Sequence, residues 1–427
     1  MKNCRSLLTV VFIALLFSAC AGNKVTQPKT TSSPEKPTAA SQSTKNNNAN
    51  NTAPVVNPIS IKEPTAATPT PAVVDYSLLK PASWQDLTGF NEDDLSKAWP
   101  AWLQSCTALI NKAPWQNACK AAQQFKTTPN QAEITAYFSN YFTVYKASNQ
   151  DGTEAGTITG YYEPLLKGSR KQSAQYPHAL YTAPKDLITV ELQSQFPELK
   201  FKRLRGRVVG NKLVPYLDRA AIESDNSPIK DNAFIYIDDV IDVFFLHIQG
   251  SGLVVLEDGS EVHVGYADQN GHTYNSIGRL LIARGELTAA TASMQGIKNW
   301  VQTHPTQVTE LLNSNPSYVF FRELPKGLPG PLGALGVPIL AERVVAVDPK
   351  FIPLGAPVFL STTAPNSNTP LKQLMMAQDT GGAIKGGVRA DFFWGAGAEA
   401  GAKAGAMKQS GEIWVLLPKE FELPQTK

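Results

Sequence analysis

Residues Met375–Trp394 read Met-Met-Ala-Gln-Asp-Thr-Gly-Gly-Ala-Ile-Lys-Gly-Gly-Val-Arg-Ala-Asp-Phe-Phe-Trp. Two apolar runs, Leu374–Ala377 and Val388–Trp394, flank a segment holding Gly381, Gly382, Gly386 and Gly387. Runs of this length joined by glycine predict two strands paired as a hairpin. Asp379 and Asp391 stand near their ends. The glycines between them let a bulky ligand approach the backbone. Two acids, a nearby Lys385 and open glycine walls suit acid–base chemistry on a neutral, hydroxyl-rich substrate. Asp beside Gly is also ordinary turn chemistry. The triplet Asp379-Thr380-Gly381 matches the short signature of aspartic proteases, but those enzymes need two such loops sharing one proton, and the triplet occurs once.

The chain has 427 residues, enough for two or three domains with real cores. A net charge of +3 carries no footprint for nucleic acid. His178, His247, His263, His272 and His304 lack metal-ligand spacing, and the four Cys form no Cys-x-x-Cys unit. Neither a metal nor another cofactor is expected.

At the amino terminus, Lys2 and Arg5 precede an apolar stretch, Leu7–Phe17, that ends in Ser18-Ala19-Cys20. A charged start, a short apolar middle and small residues before a cut predict a signal peptide over residues 1–19, too short to span a bilayer stably. Leu16-Phe17-Ser18-Ala19-Cys20 resembles a bacterial lipoprotein lipobox, with Phe17 where Leu is usual. The resemblance implies acylation of Cys20, and Ala21 after it points to the periplasmic face of the outer membrane. Simple secretion is the plainer alternative. Residues 20–75 are rich in Asn, Thr, Ser, Pro, Lys and Ala and cannot bury enough apolar surface to order themselves. As a coil of about fifty residues they would span roughly 40 Å, a tether. Cys106 and Cys119 then remain as an even pair in an oxidising compartment, either bonded to each other or two free buried thiols.

Folded sequence is expected from about Tyr76. Thr128-Pro129-Asn130-Gln131 reads as a capping box, followed by Ile134, Tyr137, Phe138 and Tyr141 at helical spacing. Leu95, Trp99, Trp102 and Leu103 make a similar stripe, interrupted by Pro100. From Gly156 the pattern changes to strands: Thr157–Tyr162, Leu204–Val214 and Phe234–Gln249, with turns at Gly210-Asn211 and Asp258-Gly259. Helices are predicted at Ser276–Arg284, Ala292–Gln302 and Ala398–Met407. Tyr318–Phe321, Val344–Val347, Pro357–Leu360 and Ile413–Leu417 read as further short strands. The body is therefore mainly β with short helices. Gly395-Ala396-Gly397 does not extend into a nucleotide fingerprint, because the third glycine falls one residue late.

Several stretches together resemble the membrane-bound lytic murein transglycosylase A family. They are Gly160-Tyr161-Tyr162-Glu163-Pro164, Phe244–Gly252, Gly265–His272, Ser276-Ile277-Gly278-Arg279, Asn315–Phe321 and Asp379–Gly395. Each is weak alone; their joint order from about Gly156 to Pro418 is specific. The resemblance implies a double-psi β-barrel catalytic domain from residues 76–163 and 326–427, a smaller β-barrel-like domain inserted over residues 164–325, and a glycan groove between them. It implies that Asp391 is a single catalytic acid with Asp379 in support. The spacing from Asp379 to Asp391 is one residue longer than in some members.

The activity so implied is non-hydrolytic cleavage of the β-1,4 bond between N-acetylmuramic acid and N-acetylglucosamine in peptidoglycan, leaving 1,6-anhydro ends. Ordinary glycosidases need two carboxyl groups because water must be activated. Here the C6 hydroxyl attacks its own C1, and proximity supplies much of the barrier reduction. Asp391 must then begin protonated, with a pKa above the usual ~3.9. Strand alternation puts Arg389 on the same face, where it would oppose that shift, so Arg389 is expected to turn to a substrate peptide carboxylate or another acid. Tyr161, Tyr162, Tyr266 and Tyr274 are candidates to stack on sugars or simply to pack in the core. Gln249, Ser251, Gln269 and Asn270 are candidates to bond acetamido and hydroxyl groups. Lys385 either stabilises the leaving oxygen or caps a loop, and Glu163 is a reserve acid. The expected partners are peptidoglycan strands and, through the lipidated terminus, the membrane, with other cell-wall enzymes as candidates and no nucleic acid. A non-catalytic glycan-binding lipoprotein and a hydrolase using both aspartates are the competing readings.

Overall fold

The computed structural model describes residues 74–200 and 202–423. The expected signal peptide, the Cys20 lipidation site and nearly all of the tether lie outside the described residues. The fold is mainly β with short helices.

The larger sheet takes strands from both ends of the chain. Its order is Leu79–Ala82, Phe142–Ala147, Lys408–Pro418, Pro357–Thr363, Pro370–Asp379, Val344–Val347, Arg389–Ala396 and Gly156–Glu163. Gly156–Glu163 also pairs with Lys408–Pro418, so six of these strands close into a barrel. Lys408–Gly411 borders Gly156–Thr159, and Trp414–Pro418 borders Phe142–Lys146. All four residues of Val344–Val347 are buried, as an unbroken apolar run predicts for a strand covered on both faces.

Around one part of the barrel pack the helices Trp99–Leu109, Gln116–Ala122 and Gln131–Tyr141. Their apolar faces supply Trp99, Trp102, Cys119, Ile134 and Phe138 to the same core as Phe359 and Leu374. The buried Trp102 indole donates to Tyr137 Oη at 2.9 Å, whose hydroxyl donates on to Ala118 O at 2.7 Å, so neither polar tip is stranded. Cys106 and Cys119 are joined as a disulfide between the first two helices, with Cα atoms 5.1 Å apart.

A second, six-stranded sheet runs Val319–Glu323, Glu261–Gln269, Ser251–Leu256, Leu165–Ser169, Ala233–Ile237 and His178–Tyr181. A small three-stranded sheet comprises Ile188–Thr189, Arg205–Val209 and Lys212–Pro215.

Four expectations are corrected. The strands on either side of the glycine segment do not form a hairpin. Val344–Val347 lies between them, parallel to Pro370–Asp379 and antiparallel to Arg389–Ala396. Second, Phe234–Gln249 is not one strand: Ala233–Ile237 is, but Val240–Gln249 is a helix. The Asp239 side chain caps it, accepting from Ile241 N at 2.7 Å and Asp242 N at 3.2 Å, and Gly250 ends it at φ +83°. Its nearly continuous apolar composition hid the helical period. Third, the capping box before Tyr137 is Asn130 with Glu133, two residues later than expected. Fourth, Pro100 stands in the first turn of Trp99–Leu109, where no backbone donor is needed, so it begins the helix and does not interrupt it.

Candidate active site

Ala346 is the pivot of the site. It registers with Asp379 on one neighbouring strand and with Asp391 on the other. The pairing steps from Val345–Ala377 to Ala346–Asp379, so Gln378 is an extra residue in its strand, a bulge. The bulge sends the two side chains different ways. Gln378 is fully buried and donates to Ala101 O at 2.6 Å and Ser105 Oγ at 2.9 Å, pinning the strand to the helix Trp99–Leu109. Asp379 faces a pocket of about 140 Å³ that it shares with Asp391. Gly160, Tyr161, Ile248, Gln249, Ala346, Thr380, Gly381 and Ile384 complete the lining.

The two carboxylates are held differently. Asp379 Oδ1 accepts from Ala334 N and Thr380 N, each at 2.9 Å, and its Oδ2 accepts from Tyr161 Oη at 2.9 Å. Burial pushes this carboxyl up from its ordinary value, while the three donors and Arg203 pull it down. Asp391 Oδ1 accepts from Thr159 Oγ1 at 2.6 Å. Burial pushes Asp391 up as well, and the neighbouring Asp379 charge adds to the rise; Thr159 and Arg389 oppose it. Tyr161 is held far above its ordinary phenol range, by burial first and by Asp379 second, so it stays protonated and donates.

Arg389 does not turn to another acid. Its guanidinium donates to Thr157 O at 3.2 Å, to Ala390 O, and to Thr159 Oγ1 at 2.8 Å. Among the described residues it makes no ion pair with Asp391. The Thr159 hydroxyl stands between the two, accepting from the arginine and donating to the acid.

The pocket thus brings together Asp391, Asp379, Tyr161 and Gln249, whose Oε1 accepts from Tyr162 N at 3.1 Å. The other candidates lie outside its lining. Tyr162 packs on Ala400 and Ala404 and donates to Met294 Sδ. Ser251 registers with Gly265 inside the six-stranded sheet, and Gln269 is buried at a strand end. Asn270 is fully buried: its amide donates to Leu217 O at 2.9 Å and Pro316 O at 2.8 Å, and its Oδ1 accepts from Tyr318 N at 2.9 Å. That amide is a loop clamp with little left for a sugar. Burial raises the Tyr274 phenol, and Ser276 opposes the rise. Lys385 is exposed, 4.0 Å from Asp348. Glu163 is buried and pairs with His263 at 3.3 Å. Among the described residues no group of three or more His, Cys, Asp or Glu is placed to hold a metal ion.

Thr159 and the backbone donor of Ala334 were not foreseen. Thr159 shares a strand face with Tyr161, which alternation makes readable, but its neighbour across the sheet is 232 residues away.

A β-barrel whose pocket floor presents two unequal aspartates, one saturated with donors and one bound by a single hydroxyl, defines a carboxylate acid–base site. Residues 157–322 match the family model described as the MltA specific insert domain, and residues 343–417 match the 3D domain. The solved structure of MltA from Neisseria gonorrhoeae in its monoclinic form is 36% identical, covering 81% of this chain and 93% of that one, with a TM-score of 0.69. The crystal structure of Escherichia coli MltA with bound chitohexaose is 27% identical, covering 79% and 93%, with a TM-score of 0.58. This chain belongs to the membrane-bound lytic murein transglycosylase A family. It is 34% identical over 267 residues to the membrane-bound lytic murein transglycosylase A of Escherichia coli strain K12, spanning 65% of that relative's length and 61% of its own.

Proposed function

We propose that the chain is a lytic transglycosylase that cuts peptidoglycan between N-acetylmuramic acid and N-acetylglucosamine without water, with Asp391 as its single acid and base. The observation that carries this reading is the inequality of the two acids. Asp379 spends its oxygens on three donors and makes a poor nucleophile. Asp391 keeps one oxygen outside any hydrogen bond among the described residues, and it lines the pocket with a raised pKa.

Protonated Asp391 gives its proton to the glycosidic oxygen as the C1–O bond breaks. The C6 hydroxyl oxygen of the same sugar then bonds to C1, and its proton passes to the Asp391 carboxylate. The acid is restored and no water is consumed. Asp379, held by Tyr161, keeps a charge beside Asp391 that discourages its ionisation. The chitohexaose in the Escherichia coli relative supports a groove shaped for β-1,4-linked amino sugars.

The strand Val344–Val347 lies in the sheet between two strands that both follow it in sequence, which is consistent with a psi crossing and with the double-psi barrel and inserted domain inferred above. The charged and apolar start of the chain supports lipidation at Cys20 and a place on the periplasmic face of the outer membrane. A Cys20→Ala variant that still takes up labelled palmitate would remove that anchor from the reading.

Purified protein should release glycan ends lighter by one water than hydrolysis products, as read by mass spectrometry of digested sacculi. Asp391→Asn should lower turnover roughly a hundredfold to ten-thousandfold while chitohexaose still binds. Reducing ends would mean hydrolysis. Binding with no cleavage by the unaltered protein would mean a wall-linking lipoprotein.

A further inference from the structure

A second cavity, of about 220 Å³, lies beside the first and is lined by Glu191, Lys200, Lys202, Arg203 and Arg205 together with polar and apolar residues of the same loops. Arg203 joins the two cavities. Its guanidinium donates to Thr380 Oγ1 at 3.2 Å, and Thr380 follows Asp379 in the wall of the first pocket. Arg203 and Arg205 alternate onto one face of the chain as it enters the strand Arg205–Val209. Their charges are treated differently. Arg205 is paired with Asp268 at 2.8 Å. Arg203 donates to the neutral hydroxyl and its charge also reaches Asp379, but it has no carboxylate at ion-pair distance among the described residues. Lys202 likewise has no ion-pair partner among the described residues, and both side chains are exposed. In a protein whose net charge is only +3, this concentration of cation at the lip of an acid site calls for an anionic ligand.

We propose that Arg203 and Lys202 form a subsite for a carboxylate carried by the muramyl residue next to the bond that is cut. The inference rests on the glycan-cleaving reading of the first pocket and adds the part of the substrate that lies outside the sugar rings. The lactyl ether of N-acetylmuramic acid ends in a carboxylate when it carries no peptide; when a stem is joined there as an amide, the peptide's own carboxylates take its place, and a chito-oligosaccharide has neither. The planar fork of Arg203 suits bidentate capture of a carboxylate, and Lys202 adds a mobile charge. The subsite makes the enzyme discriminate wall glycan from chitin-like chains.

The test measures binding calorimetrically in the Asp391→Asn background with three ligands: stem-bearing glycan strands, strands stripped of peptide by an amidase, and chitohexaose. Adding Lys202→Gln and Arg203→Gln should weaken binding of stem-bearing strands by about tenfold or more and leave chitohexaose within about twofold. A loss in stem-bearing strands assigns the peptide carboxylates; a loss in stripped strands assigns the lactyl carboxylate, which is free only once the amide to the stem has been cut. Either sustains the subsite. Equal weakening of chitohexaose would overturn it, because the pair would then be shaping the sugar groove through Thr380, and so would unchanged binding of both muramyl ligands. Failure of the catalytic reading shows separately, as absence of cleavage by the unaltered protein whatever the binding constants.

Discussion

Thr159 donates its hydroxyl hydrogen to Asp391 at 2.6 Å while accepting from Arg389 at 2.8 Å, so the guanidinium bonds the acid through a neutral oxygen while its charge still opposes the rise of the acid's pKa. Thr159 stabilises the ionised carboxylate and opposes the rise that burial causes. In the proposed mechanism the acid step needs protonated Asp391, so kcat/KM should fall as pH rises through its raised pKa. Thr159→Val removes a group that lowers this pKa, and the alkaline limb of the pH–rate profile should move to higher pH. A shift to lower pH would mean that another group sets the limb.

Asp379→Asn tests the opposite sign. Its charge is one of the causes raising Asp391. An asparagine can still accept from Ala334 N and Thr380 N, so the loop should hold. With the neighbouring charge gone, Asp391 ionises more easily and the alkaline limb should move to lower pH. A profile that does not move would show the two acids to be electrostatically independent.

Asp391→Asn should also change stability in a pH-dependent way. Folding raises the pKa of this carboxyl, so the folded state binds its proton more tightly than the unfolded chain does. The cost of carrying it ionised is absent below the unfolded pKa and complete above the folded one. The variant should therefore be more resistant to urea than the parent at neutral pH, with the gain vanishing in acid. An equal gain at both ends would remove the linkage argument.

Asp93 and Arg343 form a buried two-point pair, both contacts at 2.8 Å, and Asp93 Oδ2 also accepts from Leu374 N at 2.8 Å. Arg343 directly precedes the pivot strand Val344–Val347, so this pair ties the segment near Asp93 to the strand that separates the two acids. Removing one partner strands the other charge. Asp93→Ala should cost about 3–5 kcal/mol by denaturant titration. A loss below about 1 kcal/mol would mean that water reaches the orphaned guanidinium.

How legible this was in the amino-acid order depended on range. Ile134, Tyr137 and Phe138 announced a helix because the face they make is closed within two turns of chain. Val344–Val347 announced a buried strand through its unbroken apolar run. Asp379 and Asp391 stood out as acids among glycines, and family likeness supplied their ranking. What local pattern could not show was the place of Val344–Val347 between their strands, since no residue near either aspartate records its neighbour across a sheet. The same blindness hid Thr159. Asn270 misled in the other direction: a polar loop bordered by glycine suits ligand binding and backbone clamping equally, and only the carbonyls of Leu217 and Pro316 decide between them.

The strand Lys408–Pro418 touches Phe142–Ala147, Gly156–Glu163 and Pro357–Thr363 at once. The ring therefore cannot shut until that late stretch has been made and has returned to partners roughly 250 or more residues upstream. A growing polypeptide emerging from a ribosome lacks this stave until late. On the glycan-cleaving reading proposed above, that order of assembly holds back the pocket's closed frame until Lys408–Pro418 has docked.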